Sequence, residues 1–277
     1  MTTPVDRTCV AMVGGGSMGG AIVEGILSGV PEARVIVVEA NEELAEKWRS
    51  REGVEVLPLA AAVSEATVVF LAVKPHQITE VLREAAPDLR PGTTVVSIAA
   101  GVPLSSLESC VGEEVAVVRA MPNTPVRVGR GAVGIAAGRG CTDAKLDDVS
   151  ALLGPVATVV TIPESSIDAL TATSGSGPAY VFYLAEAMNK AAVDLGLDPA
   201  TASTLVAETI LGAGLLLAAS PDDPAALRAA VTSKGGTTAA ATRVFDERGL
   251  PEIVQAAMQA CVDRAEEMVR EQADVDR

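Results

Sequence analysis

The chain has 277 residues, of which 49% are hydrophobic and only 2% aromatic, and its formal net charge is −15. This length allows one large domain or two ordinary ones. The acidic balance argues against nucleic acid or an anionic membrane as a partner. The sequence shows neither a long uncharged apolar run nor a basic leader segment, and we therefore expect a cytoplasmic protein.

The four cysteines are scattered and form no C-x-x-C pair. This spacing predicts small buried thiols, with neither a disulfide framework nor a zinc site. The single histidine, His76, lies beside Pro75, and we interpret it as a loop residue and not as a general base. A metal site that needs several histidines is therefore excluded, and no metal is predicted.

A glycine-rich loop, Gly14–Gly19, matches the pattern G-x-G-x-x-G. It follows the apolar segment Cys9–Val13, which predicts a buried strand, and precedes a predicted helix over Ala21–Leu27. In this context the loop holds the pyrophosphate of a dinucleotide; a tight turn without a ligand is the alternative. The cofactor-binding residues predicted here are Gly14, Gly16, Ser17, Met18 and Gly19.

The second predicted strand, Arg34–Val38, is followed by an acid. Glu39 lies twenty residues after Gly19, the spacing expected of a carboxylate that binds the adenosine ribose. Such a carboxylate repels the 2′-phosphate of NADPH, and no arginine stands in residues 40–43 to compensate, so the residues favour NADH. In the alternative, Glu39 points into solvent while Asn41 and backbone N–H groups hold the phosphate.

The chain is expected to divide after residue 162, which gives domains 1–162 and 163–277. Before this point, further apolar runs predict strands of a parallel, helix-covered sheet, at residues 67–73, 93–99, 114–119, 132–136 and 157–162. Beyond it, the pattern predicts helices over residues 180–195, 199–219, 225–231 and 251–270. The predicted fold class is α/β, with an N-terminal Rossmann dinucleotide-binding domain followed by an all-helical dimerisation domain.

Three short segments follow predicted strands, at the sheet edge where open α/β proteins bind ligands. Val73-Lys74-Pro75 closes one strand. Ala99 ends the next, where small residues allow a nicotinamide or ribose to lie against the backbone. Asn123 lies in a proline-rich turn after a third strand. Lys74 as an ordinary solvated lysine and Asn123 as a turn asparagine are the alternatives.

The helix predicted at residues 199–219 indicates assembly. Its segment Ile210–Ala218 is nearly apolar all round, and such a helix must be buried on several sides. The small residues Gly212, Ala213 and Gly214 allow a close approach of helices across a subunit boundary. We expect an obligate dimer or a multiple of one.

A second glycine-containing loop, Thr232–Thr238, interrupts the helical half. Its paired glycines free the backbone, and the alanines that follow favour a helix. The free N–H groups and positive dipole end of that helix favour a small anion, above all a carboxylate.

Taken together, these motifs resemble the pyrroline-5-carboxylate reductase family. The resemblance covers nearly the whole chain and is carried by residues 14–19, 72–75, 119–125, 174–180 and 231–238. It implies reduction of (S)-1-pyrroline-5-carboxylate to L-proline, the final step of proline biosynthesis, by hydride transfer from NADPH or NADH to a protonated cyclic imine. It also implies a homodimer of interlocked helical domains with the active site at the interface, and further assembly of dimers into a decamer.

The resemblance assigns roles to individual residues. Val73, Lys74, Pro75 and Ala99 line the cofactor. The substrate carboxylate binds the loop before the predicted helix, and the Thr238 hydroxyl, the predicted catalytic group, reaches the ring nitrogen. The substrate-binding residues are Ser233, Gly235, Gly236, Thr237 and Thr238.

The chain departs from the family at two positions. Lys234 stands where the family usually has proline, which restores a backbone N–H and loosens φ. Glu39 favours NADH where many members favour NADPH, so both cofactors stay open.

Two other functions are compatible with parts of this pattern. A different small-imine or β-hydroxyacid dehydrogenase could share the two-domain plan, but residues 174–180 contain no lysine–asparagine pair of the hydroxyacid type. A non-catalytic nucleotide sensor would have no need of the second anion site at Thr232–Thr238.

Overall fold

The computed structural model describes residues 8–275 and the side chains of residues 8–271. These residues form two compact units, one made of residues up to 175 and from 261 onward, the other of Ser176–Ala260. The predicted boundary after residue 162 stays a prediction.

The first unit is built on one eight-stranded sheet. Its strands are β1 (Cys9–Val13), β2 (Arg34–Val38), β3 (Val54–Val56), β4 (Val68–Leu71), β5 (Thr94–Ser97), β6 (Ala116–Pro122), β7 (Gly131–Ala137) and β8 (Ala157–Thr161). The spatial order is β3-β2-β1-β4-β5-β6-β7-β8, and the first six strands are parallel. That arrangement of six strands is the one found in dinucleotide-binding domains.

Helices cover both faces of this sheet. They are α1 (Ser17–Gly29), α2 (Glu42–Arg49), α3 (Leu59–Glu65), α4 (Ile78–Ala85), α5 (Leu104–Glu108), α6 (Asp143–Leu153) and the short α7 (Ile167–Leu170), which leads into a π-helical turn at Thr171–Gly175. Alternate residues of β1 enter the two layers. Ala11 and Val13 belong to the core under α3–α5, and Val10 and Met12 to the core under α1, α2 and α6. A strand buried on both faces has the continuous apolar sequence seen here.

The sheet differs from the fully parallel one that was predicted. β7 runs antiparallel to β6, and β8 runs parallel to β7. The physical reason is the short connection between Pro122 and Gly131, because a parallel crossover needs about a dozen residues or more. The edge strand β3 was not predicted, since three residues with an exposed glutamate in the middle give too short a pattern.

The second unit consists of helices. They are α8 (Gly177–Asp194), α9 (Pro199–Ala219), α10 (Pro224–Ala230), α11 (Thr237–Glu247) and the beginning of α12 (Leu250–Val275). The predicted N-cap of α9 is present, since the Asp198 carboxylate accepts the N–H groups of Ala200 and Thr201 at 3.1 Å each.

This unit buries little apolar surface. Of its described residues only Ala202 and Val206 are buried, whereas Phe182, Tyr183 and Leu216 are 67%, 74% and 69% exposed. By length and composition alone, α9 is also apolar enough to cross a membrane.

Candidate functional site

The glycine loop lies between β1 and α1 and uses its glycines in two ways. Gly14 has a φ of +102°, and a Cβ there would lie 2.7 Å from the Ala72 carbonyl oxygen. A Cβ on Gly19 would lie 2.1 Å from the Gly14 carbonyl oxygen. At Gly16, by contrast, a Cβ would meet no atom within 4 Å. Two glycines thus allow close packing, and the third leaves the backbone open to a ligand such as a diphosphate.

The first turn of α1 adds to this site. Gly16 is its N-cap, and no side chain caps the helix. The N–H groups of the first turn are therefore available to an anion, at the positive end of the helix dipole.

The loop borders a cavity of about 810 Å³ at the carboxyl edge of the sheet. Nine of the ten predicted cofactor residues line it, and Gly19 instead lies buried in α1. The structure thus brings together residues that the sequence distributes over four strand ends. The nine are Gly14, Gly16, Ser17, Met18, Glu39, Val73, Lys74, Pro75 and Ala99.

Glu39 turns toward the glycine loop. Its Oε2 accepts the N–H of Gly15 at 2.8 Å, and its Oε1 accepts the N–H of Asn41 at 2.9 Å. The Asn41 side chain is occupied with capping α2, because its Oδ1 accepts the Leu44 N–H at 3.0 Å. A carboxylate has about four acceptor positions, so two backbone bonds leave capacity for a ribose hydroxyl at the cavity wall.

Trp48 is a residue of this site that the sequence interpretation missed. It is the only tryptophan of the chain, is 5% exposed, and donates its indole Nε1–H to the Gly15 carbonyl at 2.9 Å. Leu44, Ala45 and Trp48 recur at helical spacing, which could have placed Trp48 on the buried face of a helix. Nothing in the sequence indicates that its partner is the loop carbonyl.

At the end of β4, the chain turns through a short 3₁₀ helix, Pro75–Gln77. The Lys74 N–H donates to the Gln77 side chain at 3.3 Å, while the Lys74 and His76 side chains are exposed. Lys74 therefore stands at the rim of the cavity, and His76 lies outside its lining.

Asn123 ties three segments of the first unit together. It is buried, donates its Nδ2–H to the Ser174 carbonyl at 2.9 Å and accepts the Ala132 N–H on Oδ1 at 2.9 Å. These bonds join the end of β6, the start of β7 and the π-helical turn. Nearby, buried Arg119 donates to Glu164 at 3.0 Å, and that carboxylate also accepts the Leu104 N–H at 2.7 Å.

In the second unit, the predicted substrate loop ends at the start of α11. Gly235 has a φ of +73°, and Gly236, the N-cap, donates its N–H to the Ser233 carbonyl at 3.0 Å. No side chain caps α11, which begins with Thr237 and the half-buried Thr238. The free N–H groups of this first turn suit a carboxylate. The Lys234 side chain is exposed.

Among the described residues, no group of three or more histidine, cysteine, aspartate or glutamate side chains is arranged to hold a metal ion. Of the four cysteines, Cys9 and Cys110 are buried, and Cys141 and Cys261 are half-buried.

Comparison with known proteins agrees with both halves of the molecule. Residues 9–101 match a family model described as NADP oxidoreductase coenzyme F420-dependent, and residues 164–268 match one described as pyrroline-5-carboxylate reductase dimerisation. The chain is 40% identical to the pyrroline-5-carboxylate reductase of Corynebacterium melassecola, over 94% of this chain and 98% of that protein. It is 39% identical to that of Pseudomonas aeruginosa, over 95% and 97%.

Solved structures show the same likeness over nearly the whole chain. A pyrroline-5-carboxylate reductase from Coxiella burnetii superposes with a TM-score of 0.91 at 34% identity, covering 95% of this chain and 99% of that one. A Plasmodium falciparum pyrroline carboxylate reductase with NADP bound gives a TM-score of 0.82 at 25% identity, with the same coverage.

The fold and the cavity define a dinucleotide-dependent oxidoreductase with a helical dimerisation domain, and the predicted fold class is confirmed. Within that class, the chain belongs to the pyrroline-5-carboxylate reductase family. The resemblance stated from the motifs is therefore confirmed, whereas the roles of the individual site residues stay predictions.

Proposed function

We propose that this protein reduces (S)-1-pyrroline-5-carboxylate to L-proline with NADPH or NADH, the final step of proline biosynthesis. The observation that carries the proposal is the cavity at the glycine loop, in a chain that is 40% identical over nearly its whole length to a pyrroline-5-carboxylate reductase. When bound, the dinucleotide supplies the hydride, and the chain's own residues bind, orient and shield the reactants.

For the cofactor, we assign the pyrophosphate to Gly14, Gly16, Ser17, Met18 and Gly19. The open face of Gly16 and the uncapped first turn of α1 support this assignment. Glu39 takes the adenosine ribose, because its carboxylate is held at the cavity wall by two backbone N–H groups. Val73, Lys74, Pro75 and Ala99 form the remaining wall.

For the substrate, we assign the carboxylate to the loop before α11. The residues are Ser233, Gly235, Gly236, Thr237 and Thr238. An uncapped helix start holds a carboxylate through N–H groups alone, which leaves no mobile positive charge close to an iminium carbon.

The Thr238 hydroxyl is assigned to the ring nitrogen. A cyclic imine becomes a good hydride acceptor once it is protonated, so the protein mainly has to position it. A neutral hydroxyl interacts more favourably with an iminium than a cation does. The nearest lysine in sequence, Lys234, is exposed, and we assign it at most a role in attracting the anionic substrate.

We further propose that the functional unit is a homodimer formed through the second unit, and we retain the decamer as a prediction. The large exposed apolar residues of α8 and α9 support burial against a second copy. In this arrangement α9 meets protein and not lipid, which fits the proposed cytoplasmic location and the absence of a membrane or nucleic-acid partner.

The proposal is tested by incubating the purified protein with pyrroline-5-carboxylate and each cofactor. Oxidation of the dinucleotide with equimolar formation of L-proline is expected. Reduction of a different cyclic imine or of a hydroxyacid's keto form, with no turnover of pyrroline-5-carboxylate, would replace the proposal with another oxidoreductase activity. Binding of NADH without turnover of any such compound would favour a nucleotide sensor.

A further inference from the structure

Three successive glycines make the backbone of the cofactor loop intrinsically flexible. Gly14, Gly15 and Gly16 carry no side chain that restricts φ and ψ, so each can adopt many backbone conformations. A loop of this kind binds a diphosphate well only if its neighbours hold it in the receptive shape, because the apparent affinity falls with the fraction of molecules in that shape.

The neighbours that hold Gly15 come from one segment of the chain. Its N–H donates to the Glu39 carboxylate at 2.8 Å, and its carbonyl accepts the Trp48 indole N–H at 2.9 Å. Glu39 directly follows β2, and Trp48 lies on α2, nine residues further on. Both peptide groups that flank the Gly15 α-carbon are therefore held by side chains of the β2–α2 segment.

Packing against Trp48 also explains the residue types in the loop. A Cβ on Gly15 would lie 2.3 Å from the indole Nε1, and a Cβ on Gly20 would lie 3.0 Å from its Cζ2. The central position Gly15 is not one of the three glycines that the dinucleotide pattern requires. In this chain, glycine at position 15 is required by the tryptophan.

We infer that Trp48 is a positioning residue for the dinucleotide, holding the glycine loop in its binding shape through the Gly15 carbonyl. This inference rests on the proposed function only in that the cavity takes NADH or NADPH. Without the indole N–H, the buried carbonyl loses its partner, and the Gly15 peptide is free to rotate toward water. Loss of this hydrogen bond should therefore weaken cofactor binding and leave the rate of hydride transfer unchanged.

The test compares Trp48→Phe, which keeps a large ring but removes the donor, with Val149→Ala as a matched control. Val149 is fully buried in the same core layer, on α6, and does not line the cavity. The dissociation constant of NADH is measured by its fluorescence without substrate, alongside thermal unfolding of each variant.

We expect Trp48→Phe to raise the NADH dissociation constant about threefold to tenfold, the effect of one neutral hydrogen bond. The KM for cofactor should rise equally, while kcat at saturating cofactor and the KM for pyrroline-5-carboxylate stay within about twofold. Val149→Ala should lose stability without losing affinity. An unchanged dissociation constant in Trp48→Phe, or an equal rise in both variants, would overturn the inference and leave Trp48 as an ordinary core residue.

Wild-type protein gives a second test that does not depend on the variant folding. Hydrogen exchange of the Gly15 amide, whose N–H donates to Glu39, is measured with and without NADH. A loop held in advance protects this amide strongly before cofactor is added, whereas the uncapped amides at the start of α1 gain protection when the diphosphate binds. A tenfold or greater gain in protection of the Gly15 amide on binding would contradict a preformed loop. Because the dissociation constant and the hydrogen exchange are both measured without substrate, failure to turn over pyrroline-5-carboxylate would count against the proposed function and not against this inference.

Discussion

The two units of this protein differ in how far each buries its own apolar side chains. The first covers both faces of its sheet, and some of its ion pairs join separate elements, as Arg34 of β2 does with Glu55 of β3 and with Glu65 of α3, while others, such as Arg49–Glu46, lie within one helix. The second leaves large apolar side chains exposed, and its ion pairs Lys190–Asp194 and Arg243–Glu247 each lie within one helix turn. The first unit has a core of its own, whereas the second leaves an apolar face exposed, which a second copy buries in the proposed homodimer.

The largest expected effect comes from placing a charge on that exposed apolar face. Phe182→Asp on α8 should abolish the dimer and reduce activity to background, because an unpaired carboxylate would be buried in the assembly. Size-exclusion chromatography with light scattering measures the change. Val128→Asp is the matched control, since Val128 is 76% exposed in the first unit and should keep both assembly and activity. A stable, active monomer of the unmodified protein at micromolar concentration would contradict the proposed homodimer, in which a second copy buries the apolar face of the second unit.

A second prediction concerns the start of α11. Thr238→Ala should lower kcat/KM about tenfold to a hundredfold, the effect of losing one or two hydrogen bonds to a charged group. Thr242→Ala is the control, because its hydroxyl lies one turn further on and donates to the Thr238 carbonyl at 3.1 Å. We expect it to stay within about twofold of wild type in steady-state kinetics. Equal kinetics in wild type and Thr238→Ala would remove Thr238 from the mechanism.

A third prediction concerns cofactor choice. A 2′-phosphate beside Glu39 would place about two negative charges against a carboxylate. Glu39→Ser should therefore shift the ratio of kcat/KM values toward NADPH by at least about tenfold. Glu39 also holds Gly15, so the variant should bind both cofactors less well in absolute terms.

Glu43→Ser, a neighbouring exposed position on α2, should leave that ratio unchanged. Measuring both cofactors on all three proteins decides the matter. A strong preference of the wild type for NADPH that Glu39→Ser does not alter would show that the carboxylate has no part in discrimination.

The sequence predicted the strands and helices that have long patterns or clear end signals. The bounds of β1, β2 and α9 agree with the predicted segments, since an unbroken apolar run marks a strand buried on both faces and Asp198-Pro199 marks a helix start. It did not predict that β7 runs antiparallel, because strand direction depends on the length of a connection whose ends were not yet known. The π-helical turn at Thr171–Gly175 has no sequence signal of its own.

The candidate site was also predictable only in part. Motif spacing indicated the residues that border the cavity, from Gly14 to Ala99. It could not indicate Trp48, because a tryptophan on the buried face of a helix carries no mark of its hydrogen-bond partner. The sequence could not indicate the hydrogen-bond partners of Asn123 either, because Ser174 and Ala132 lie 51 and 9 positions away along the chain.

A fourth prediction addresses this asparagine and the stability of the first unit. Asn123→Ala should destabilise the protein by about 1–3 kcal/mol, because it leaves the Ser174 carbonyl and the Ala132 N–H without their partner. Thermal unfolding should show a lower Tm, whereas Thr124→Ala, at the exposed neighbouring position, should leave Tm unchanged. A Tm equal to that of wild type in Asn123→Ala would mean that water replaces both bonds.

The smallest expected effect concerns the ion pairs that join elements of the first unit. The Arg34 guanidinium, hydrogen-bonded to Glu55, holds the pKa of that carboxyl below its ordinary value. A carboxyl whose pKa is lower in the folded state contributes stability above its unfolded pKa, about 4.3, and loses it as the pH falls through the folded value. Both side chains are more than a third exposed, so the contribution at neutral pH should stay below about 1 kcal/mol.

Glu55→Gln should therefore lower the free energy of unfolding slightly at pH 7 and not at pH 3. Lys190→Gln removes the Lys190–Asp194 pair, which lies within one helix, and should change the free energy of unfolding still less at either pH. An equal loss in Glu55→Gln at both pH values would show that packing, and not charge, accounts for the effect.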